Sequence, residues 1–322
     1  MENRQMNNRI LFLDYSRVIA AFLVVFAHLY TTDSDVRLYI YAFHMPFFYL
    51  VSGMLHKENS DIIIFKKCVK SLLIPAFFYL LVGLFVKCIF DQKNVLTMMV
   101  ESGKNLYLGG GMPANSIVWF LFSLFNTKLL SNGFIHHGYK IKLIFIVLFL
   151  FFLVKPKCFE WFYFDTSLMA FPFFLLGYYI KDYLLDVSLE PNKWLFGFVL
   201  FGIITICITL YNGRVSMFGC VFGMRRWLIR VPLFYINGFI GSLMMICLSQ
   251  LIKKRTKVCE IIAYSLISIV GFQEIFIHFY IKEIGQNQSF LISVLSSFVI
   301  IGLCCILHSF FKRFLPWAVA SK

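Results

Sequence analysis

Three ionisable side chains lie within the first long apolar run of the sequence: Asp14, Arg17 and His28. At about 100° per residue, the step from Arg17 to His28 is close to three helical turns, and Asp14 falls about 60° from Arg17. All three therefore share one helix face, with Arg17 and His28 about 16 Å apart along the axis. Arginine is a permanent cation that grips phosphate, whereas histidine titrates near neutral pH and accepts a proton from a hydroxyl group. The spacing suits a phosphate-bearing donor and an acceptor alcohol.

A structural role is also open for these residues and for the next histidine. Asp14 and Arg17 would then simply pair near the membrane interface, and His28 would be a satisfied polar residue at the end of its helix. His44 closely precedes Pro46, which removes a backbone donor and predicts a kink in the second helix. His44 suits helix packing as well as it suits catalysis.

The elements that must position these groups are membrane-spanning helices. The 322 residues are 60% hydrophobic and only 14% charged, which is more apolar surface than one soluble core can bury. Each apolar run is long enough to cross about 30 Å of hydrocarbon, where backbone groups must be satisfied within the segment. We predict an all-α membrane protein, a single polytopic bundle of about ten transmembrane helices with both termini cytoplasmic. The predicted spans lie near residues 10–30, 37–56, 69–90, 116–132, 141–154, 165–184, 194–211, 230–252, 259–281 and 290–311.

The chain is expected to form one integral-membrane domain over residues 1–322, with short cytoplasmic tails at 1–9 and 312–322. Lys and Arg are more frequent in the segments that this orientation places inside, as the positive-inside rule requires. The net charge of +14 is spread over loops that flank the spans, which favours acidic membrane lipid over nucleic acid as a partner. The nine cysteines lack metal-ligand spacing, so no metal site is predicted.

Two basic segments between spans are candidates for binding anions. Lys67 and Lys70 precede the third helix, where they suit donor phosphates or act as ordinary flanking charge. The loop after the seventh span carries Arg214, Arg225 and Arg226 on the side expected to face outward. These arginines suit an anionic acceptor, unless a span nearby is miscounted.

The order of motifs along the chain resembles the acyltransferase 3 family. Leu13–Arg17 followed by His28 is similar to the family's first helix, in which ten residues separate an arginine from a histidine. The next motifs of the family are matched in order by His44–Phe48 with Ser52-Gly53, Lys70–Pro75, Val118–Leu121 and Phe171–Gly177. Tyr211–Val215 and the glycines that follow resemble stand-alone members found with polysaccharide biosynthesis, including fucose O-acetylases.

The resemblance implies an O-acetyltransferase of the bacterial inner membrane. Such an enzyme moves an acetyl group from cytoplasmic acetyl-CoA to a hydroxyl of O-antigen, capsule or exopolysaccharide, or of an undecaprenyl-linked precursor. In this chain it implies that Arg17, Lys67 and Lys70 hold the donor phosphates. His28 would act as the base or carry the acetyl group as an acyl-imidazole, and the residues leave both routes open.

Further roles follow from the same resemblance. Asp14 would fix the arginine of the first helix, and His44 would stabilise the developing oxyanion. Trp119 and Gln273 join the loop arginines as expected substrate-binding residues.

The chain departs from the family pattern at two places. Lys67 and Lys70 stand where many members carry a pair of arginines, and lysine lacks the planar bidentate fork. Gln273 stands where many members carry a histidine, and its amide orients a hydroxyl but cannot act as a base. The alternative function is a polytopic transporter or flippase of lipid-linked glycan, which dependence on acetyl-CoA would separate from a transferase.

Overall fold

The computed structural model describes residues 10–31, 34–92, 94–154, 159–186, 189–213, 217, 227–285 and 288–320. Over these ranges the chain forms helices and short connections, and no strand occurs in them. Helices satisfy their own backbone groups, which is the requirement that hydrocarbon imposes on a chain of this composition. The predicted all-α fold is confirmed.

Thirteen α-helices lie within the described residues. They are α1 (Leu11–Leu29), α2 (Ser34–Met54), α3 (Asp61–Cys68), α4 (Ile74–Asp91), α5 (Val95–Tyr107), α6 (Trp119–His136), α7 (Tyr139–Val154), α8 (Phe164–Asp186), α9 (Pro191–Asn212), α10 (Trp227–Gln250), α11 (Lys257–Tyr264), α12 (Leu266–Ile284) and α13 (Phe290–Phe314). A π-helical turn, Val69–Leu73, joins α3 to α4, and a 3₁₀ turn, Ser116–Val118, leads into α6.

A helix occupies each of the ten apolar segments expected to span the membrane, but the count of ten spans is not confirmed. Six helices within the described residues are long and apolar enough to cross, or seven if the bent pair α11 and α12 is one span. The six are Leu11–Leu29, Asp61–Asp91, Trp161–Leu185, Pro191–Asn212, Ile229–Gln250 and Phe290–Phe314. The shortfall has local causes. Helix α7 has only 16 residues, below the roughly 20 that a span needs, while Asp35, Arg37 and His44 make α2 more polar.

Helix α1 lies at the centre of the bundle and contacts α2, α10, α11, α12 and α13. Helix α2 in turn packs on α8, where glycines allow the two backbones to approach. A Cβ atom at Gly53 would lie 1.9 Å from the carbonyl oxygen of Phe174, and one at Gly177 would lie 2.0 Å from that of Leu50. This close contact fixes the position of α2, which carries His44.

Two helix interruptions shape the space beside α1. Pro75 has no N–H, so the carbonyl of Ser71 loses its usual partner, and the chain widens into the π turn at this point. Such turns occur frequently at functional sites. At Ser265 the chain bends by 76° between α11 and α12, where the serine hydroxyl donates to the carbonyl of Ile261 at 2.8 Å. The first turns of α12 thereby face α1.

Candidate functional site

A cavity of about 600 Å³ lies between α1, α2, the π turn, the start of α6 and the start of α12. Five of the residues predicted from the sequence lie in its wall: Arg17, His28, His44, Trp119 and Gln273. Most of the remaining wall is apolar, with side chains such as Val24, Met45, Phe48 and Leu124. A largely apolar cavity of this size with a few polar groups is typical of a site for a small molecule.

The cavity extends along α1 because Arg17, Ala21, Val24 and His28 all line it. These positions form one stripe on the helix, as the spacing predicts. Arg17 and His28 are therefore about 16 Å apart along the helix. We name the two regions of the cavity the Arg17 end and the His28 end.

At the Arg17 end, the guanidinium group is held by its own helix. Its Nε donates to the carbonyl of Leu13 at 3.1 Å, and an Nη atom donates to the carboxylate of Asp14. Asp14 itself is buried and does not line the cavity. It lies behind Arg17, and the positioning role expected from the sequence stays a prediction.

At the His28 end, a tyrosine ring lies close to two imidazole rings. The centroid of Tyr41 is 6.1 Å from that of His28 and 5.2 Å from that of His44. The Nδ1 atom of His44 lies 2.9 Å from the carbonyl oxygen of Ile40. Because a carbonyl only accepts, Nδ1 carries the proton, and the Nε2 atom of a neutral His44 keeps its lone pair.

Gln273 contributes an unused acceptor to the same cavity. The residue is 1% exposed, and its Oε1 atom accepts no hydrogen bond from the described part of the chain. A buried amide oxygen without a donor is costly. A hydroxyl group of a ligand in the cavity would satisfy it.

A buried ion pair next to Gln273 was missed by the sequence analysis. The Nζ atom of Lys87 donates to Glu274 at 2.9 Å and to the carbonyl of Pro113 at 3.0 Å. The other carboxylate oxygen of Glu274 accepts from the hydroxyl of Ser116 at 2.9 Å and from the N–H of Ile117 at 2.7 Å. These bonds fix the turn that leads into α6 and to Trp119.

Ionisable residues within a predicted span are candidates for function, and this criterion, which identified Asp14, Arg17 and His28, also applies to Lys87 and Glu274. Lys87 and Glu274 both lie within predicted spans, where an ionisable group is costly and usually functional. Their pairing was not visible, because the two residues are 187 positions apart in sequence. Glu274 also lies close enough to His28 to act on its charge.

The remaining predicted residues lie away from the cavity wall or outside the described residues. Lys67 and Lys70 are exposed on α3 and the π turn, although Leu72, two positions further on, lines the cavity. Arg214, Arg225 and Arg226 lie outside the described residues. Met217 belongs to the same loop, is described, and lines the cavity.

The described ranges contain no group of three or more His, Cys, Asp or Glu side chains placed to hold a metal ion. The cavity presents the cation of Arg17 at one end. At the other end it presents the imidazoles of His28 and His44, the phenol of Tyr41 and the amide of Gln273. This set suits binding of an anionic group together with proton transfer.

Comparison with known proteins agrees with this geometry. A family model described as an acyltransferase domain matches residues 10–309, which is nearly the whole chain. No curated protein and no solved structure matches the chain significantly. With its apolar helices, the protein is a multi-pass membrane protein. The chain belongs to the acyltransferase 3 family.

Proposed function

We propose that this membrane acyltransferase moves an acetyl group from acetyl-CoA to a hydroxyl of a cell-surface polysaccharide or its undecaprenyl-linked precursor. O-antigen, capsule and exopolysaccharide are the acceptor classes, and the bacterial inner membrane is the location. The observation that carries the proposal is the single cavity whose wall includes both Arg17 and His28. A donor that lies along α1 would have its phosphates beside the cation of Arg17 and its thioester beside the imidazole of His28.

The donor enters with its phosphates at the Arg17 end. Arg17, with Lys67 and Lys70 near the entrance, supplies positive charge for the phosphates. The pantetheine arm extends past Ala21 and Val24, and the thioester reaches His28. A volume of about 600 Å³ accommodates this arm, a short acyl group and the reacting part of a sugar, but not a whole polysaccharide.

His28 then serves the transfer step. Its free ring nitrogen takes the proton of the sugar hydroxyl while that oxygen attacks the thioester carbonyl carbon. The attack forms the new C–O bond and a tetrahedral intermediate. When this intermediate collapses, the C–S bond breaks, and the CoA thiolate leaves and takes the proton from the imidazolium. In the alternative route, the ring nitrogen attacks the thioester and the CoA thiolate leaves, which gives an acyl-imidazole. The sugar hydroxyl then attacks the acyl carbon, the imidazole leaves, and the hydroxyl proton passes to the thiolate.

The other polar groups of the wall orient the reactants. The Oε1 atom of Gln273 accepts a hydrogen bond from an acceptor hydroxyl, and Trp119 provides a ring surface for a sugar face. His44 and Tyr41 lie beside His28, where the Nε2–H that His44 carries when protonated stabilises the oxyanion of the tetrahedral intermediate. The loop that contains Arg214, Arg225 and Arg226 contacts an anionic part of the acceptor.

The proposed topology follows from this direction of transfer. The Arg17 end faces the cytoplasm, where acetyl-CoA is made, and both termini are cytoplasmic. The helices α2, α6 and α7 cross the membrane together with the more apolar ones and complete a bundle of about ten spans. Tyr41, His44 and Ser52 of α2 then line the cavity, while Thr127 and Asn132 of α6 are buried in the bundle, so these polar groups avoid lipid.

Transfer of label tests the proposal. Membrane vesicles that contain the protein receive acetyl-CoA labelled in the acetyl group, with the physiological glycan present, beside vesicles without the protein. We expect label in the glycan as a base-labile ester, dependent on the protein. Absence of labelled glycan, while the protein moves lipid-linked glycan across the vesicle membrane without acetyl-CoA, would contradict the proposal in favour of a transporter.

A further inference from the structure

Lys128 lies on the helix face that lines the cavity, although the sequence analysis did not single it out. Leu121 and Leu124 of α6 both contribute to the cavity wall. At about 100° per residue, Lys128 lies about 20° from Leu121 and about 40° from Leu124 around the helix axis. It is one turn, about 6 Å, beyond Leu124.

Hydrogen bonds at the end of α6 show that this direction leads to the Arg17 end. The amide of Asn132, one turn past Lys128, donates to the carboxylate of Asp61 at 2.6 Å and to the carbonyl of Asn59 at 3.0 Å. Residues 55–60 connect α2 to α3. Because α1 and α2 are antiparallel neighbours joined by a short connection, the end of α2 lies level with the start of α1. Lys128 and Arg17 are therefore both within a few turns of the same end of the bundle.

The ammonium group of Lys128 has no counter-charge in the described residues. Its side chain is partly buried and makes no hydrogen bond or ion pair to any residue that the structure describes. Its electrostatic neighbours are the thiol of Cys68 and the imidazole of His56. Leu72, one turn after Cys68, lines the cavity.

An unpaired cation within a helical bundle is costly and marks a place where a ligand supplies the missing charge. Arg17 already has a carboxylate partner in Asp14, so that pair adds little net charge. A donor with several phosphate charges needs a cation that is not neutralised in advance. Lys128 meets this requirement.

We infer that Lys128 and Arg17 together bind the phosphate groups of the acyl-CoA donor at the Arg17 end of the cavity. The inference rests on the proposed function and adds to it the residue that supplies net charge. Arg17 offers directional donors, and Lys128 offers a mobile point charge. In this arrangement the exposed Lys67 and Lys70 act during approach and not in the bound complex.

Binding to the purified full-length protein in lipid nanodiscs tests this inference. The probes are CoA, which carries the phosphates, and pantetheine, which lacks them. The variants are Lys128→Met, which keeps the length of the side chain without its charge, and Lys128→Arg, which keeps a charge. Lys140→Met is the matched control, because Lys140 is exposed at the start of α7 near the same end of the bundle.

We expect Lys128→Met to weaken CoA binding about tenfold or more while pantetheine binding stays within about twofold. Lys128→Arg should restore most of the CoA affinity, and Lys140→Met should match the wild type. Equal CoA affinity in Lys128→Met and wild type would overturn the inference and leave the proposed function standing. Equal loss of CoA and pantetheine binding, with a lower unfolding temperature, would assign Lys128 a structural role instead. Failure of the wild type itself to bind CoA would overturn both the inference and the proposed function.

Discussion

The two ends of the cavity differ in the kind of polar group they present. At the Arg17 end the groups are the guanidinium of Arg17, with Asp14 behind it, and the ammonium of Lys128 one turn past the wall. At the His28 end the groups are rings that give or take a proton, held next to a buried ion pair. Charge without proton exchange suits binding, whereas imidazole suits chemistry. The contrast is what the proposed function expects of Arg17 and His28, which lie three turns apart on one helix.

The contrast also appears in how each end is held in place. Arg17 is positioned within a single helix, by Leu13 and Asp14 of α1. The His28 end depends on contacts between distant segments, because Glu274 of α12 holds the turn before α6 and pairs with Lys87 of α4. Substitutions at the two ends should therefore differ in their effects on donor binding, turnover and stability.

The largest effect is expected from removal of the imidazole at the His28 end. His28→Ala should lower the rate of acetyl transfer by at least about 100-fold, because general base catalysis contributes on the order of 10² to 10⁴ in rate. CoA binding should remain near that of the wild type, since the phosphates lie at the other end. The measurement is labelled transfer at matched expression, with His136→Ala at an exposed position of α6 as control. A normal rate of acetyl transfer by His28→Ala would contradict the assignment of the chemical step to the His28 end.

Next comes the ion pair that fixes the His28 end. Lys87→Met leaves the largely buried carboxylate of Glu274 without its cation, which costs about 3–5 kcal/mol of folding free energy. Addition of Glu274→Gln should recover part of this loss, because the amide oxygen still accepts from Ile117. Thermal unfolding in detergent measures the loss in Lys87→Met and the recovery in the double variant. Lys193→Met breaks an exposed pair with Glu190 and should leave the unfolding temperature unchanged. Equal stability of Lys87→Met and Lys193→Met would show that the pair does not hold this end.

A smaller effect is expected where the helix that carries His44 meets α8. Gly53→Ala would place a methyl group 1.9 Å from the carbonyl oxygen of Phe174 and force the helices apart, at a cost of about 1–3 kcal/mol. Gly302→Ala is the control, since no atom lies within 4 Å of its added Cβ in α13. The control should be neutral or stabilise the helix by about 0.5–1 kcal/mol. Unfolding temperatures that fall equally for both variants would argue against the close contact.

The smallest effect is expected from the exposed lysines near the Arg17 end. Replacing Lys67 and Lys70 by alanine should raise the KM for acetyl-CoA only about two- to fivefold at low salt, because exposed charges are screened by water and ions. The difference from wild type should vanish at high salt. A loss of donor affinity beyond about tenfold that persists at high salt would place the bound phosphates on these lysines and not at Lys128 and Arg17.

The sequence was sufficient for the features that depend on one helix alone. The Arg17 and His28 stripe was predictable because helical periodicity fixes which positions share a face. The ten helical segments were also predictable, since long apolar runs have no other stable form in lipid. The count of spans was less secure, because polar residues of α2 and α6 that face the bundle interior lower the apparent hydropathy of those helices.

Features that depend on packing between distant segments were not predictable. The pairing of Lys87 with Glu274 joins two helices far apart in sequence. The exposure of Lys67 and Lys70 depends on which side of α3 and the π turn packs against α6. Lys128 has the sequence context of an ordinary polar residue of α6, because only the folded bundle brings Leu121 and Leu124 into the cavity wall.

The central claim is that the donor phosphates bind at the Arg17 end and that acyl transfer takes place at the His28 end. Direct observation of a bound donor is its strictest test. The measurement is an electron cryomicroscopy structure of the full-length protein in nanodiscs with CoA, the unreactive product. We predict density for the phosphates beside Arg17 and Lys128, with the pantetheine arm along Ala21 and Val24 and the thiol next to His28. CoA bound outside this cavity, or bound with its phosphates beside His28, would contradict the account.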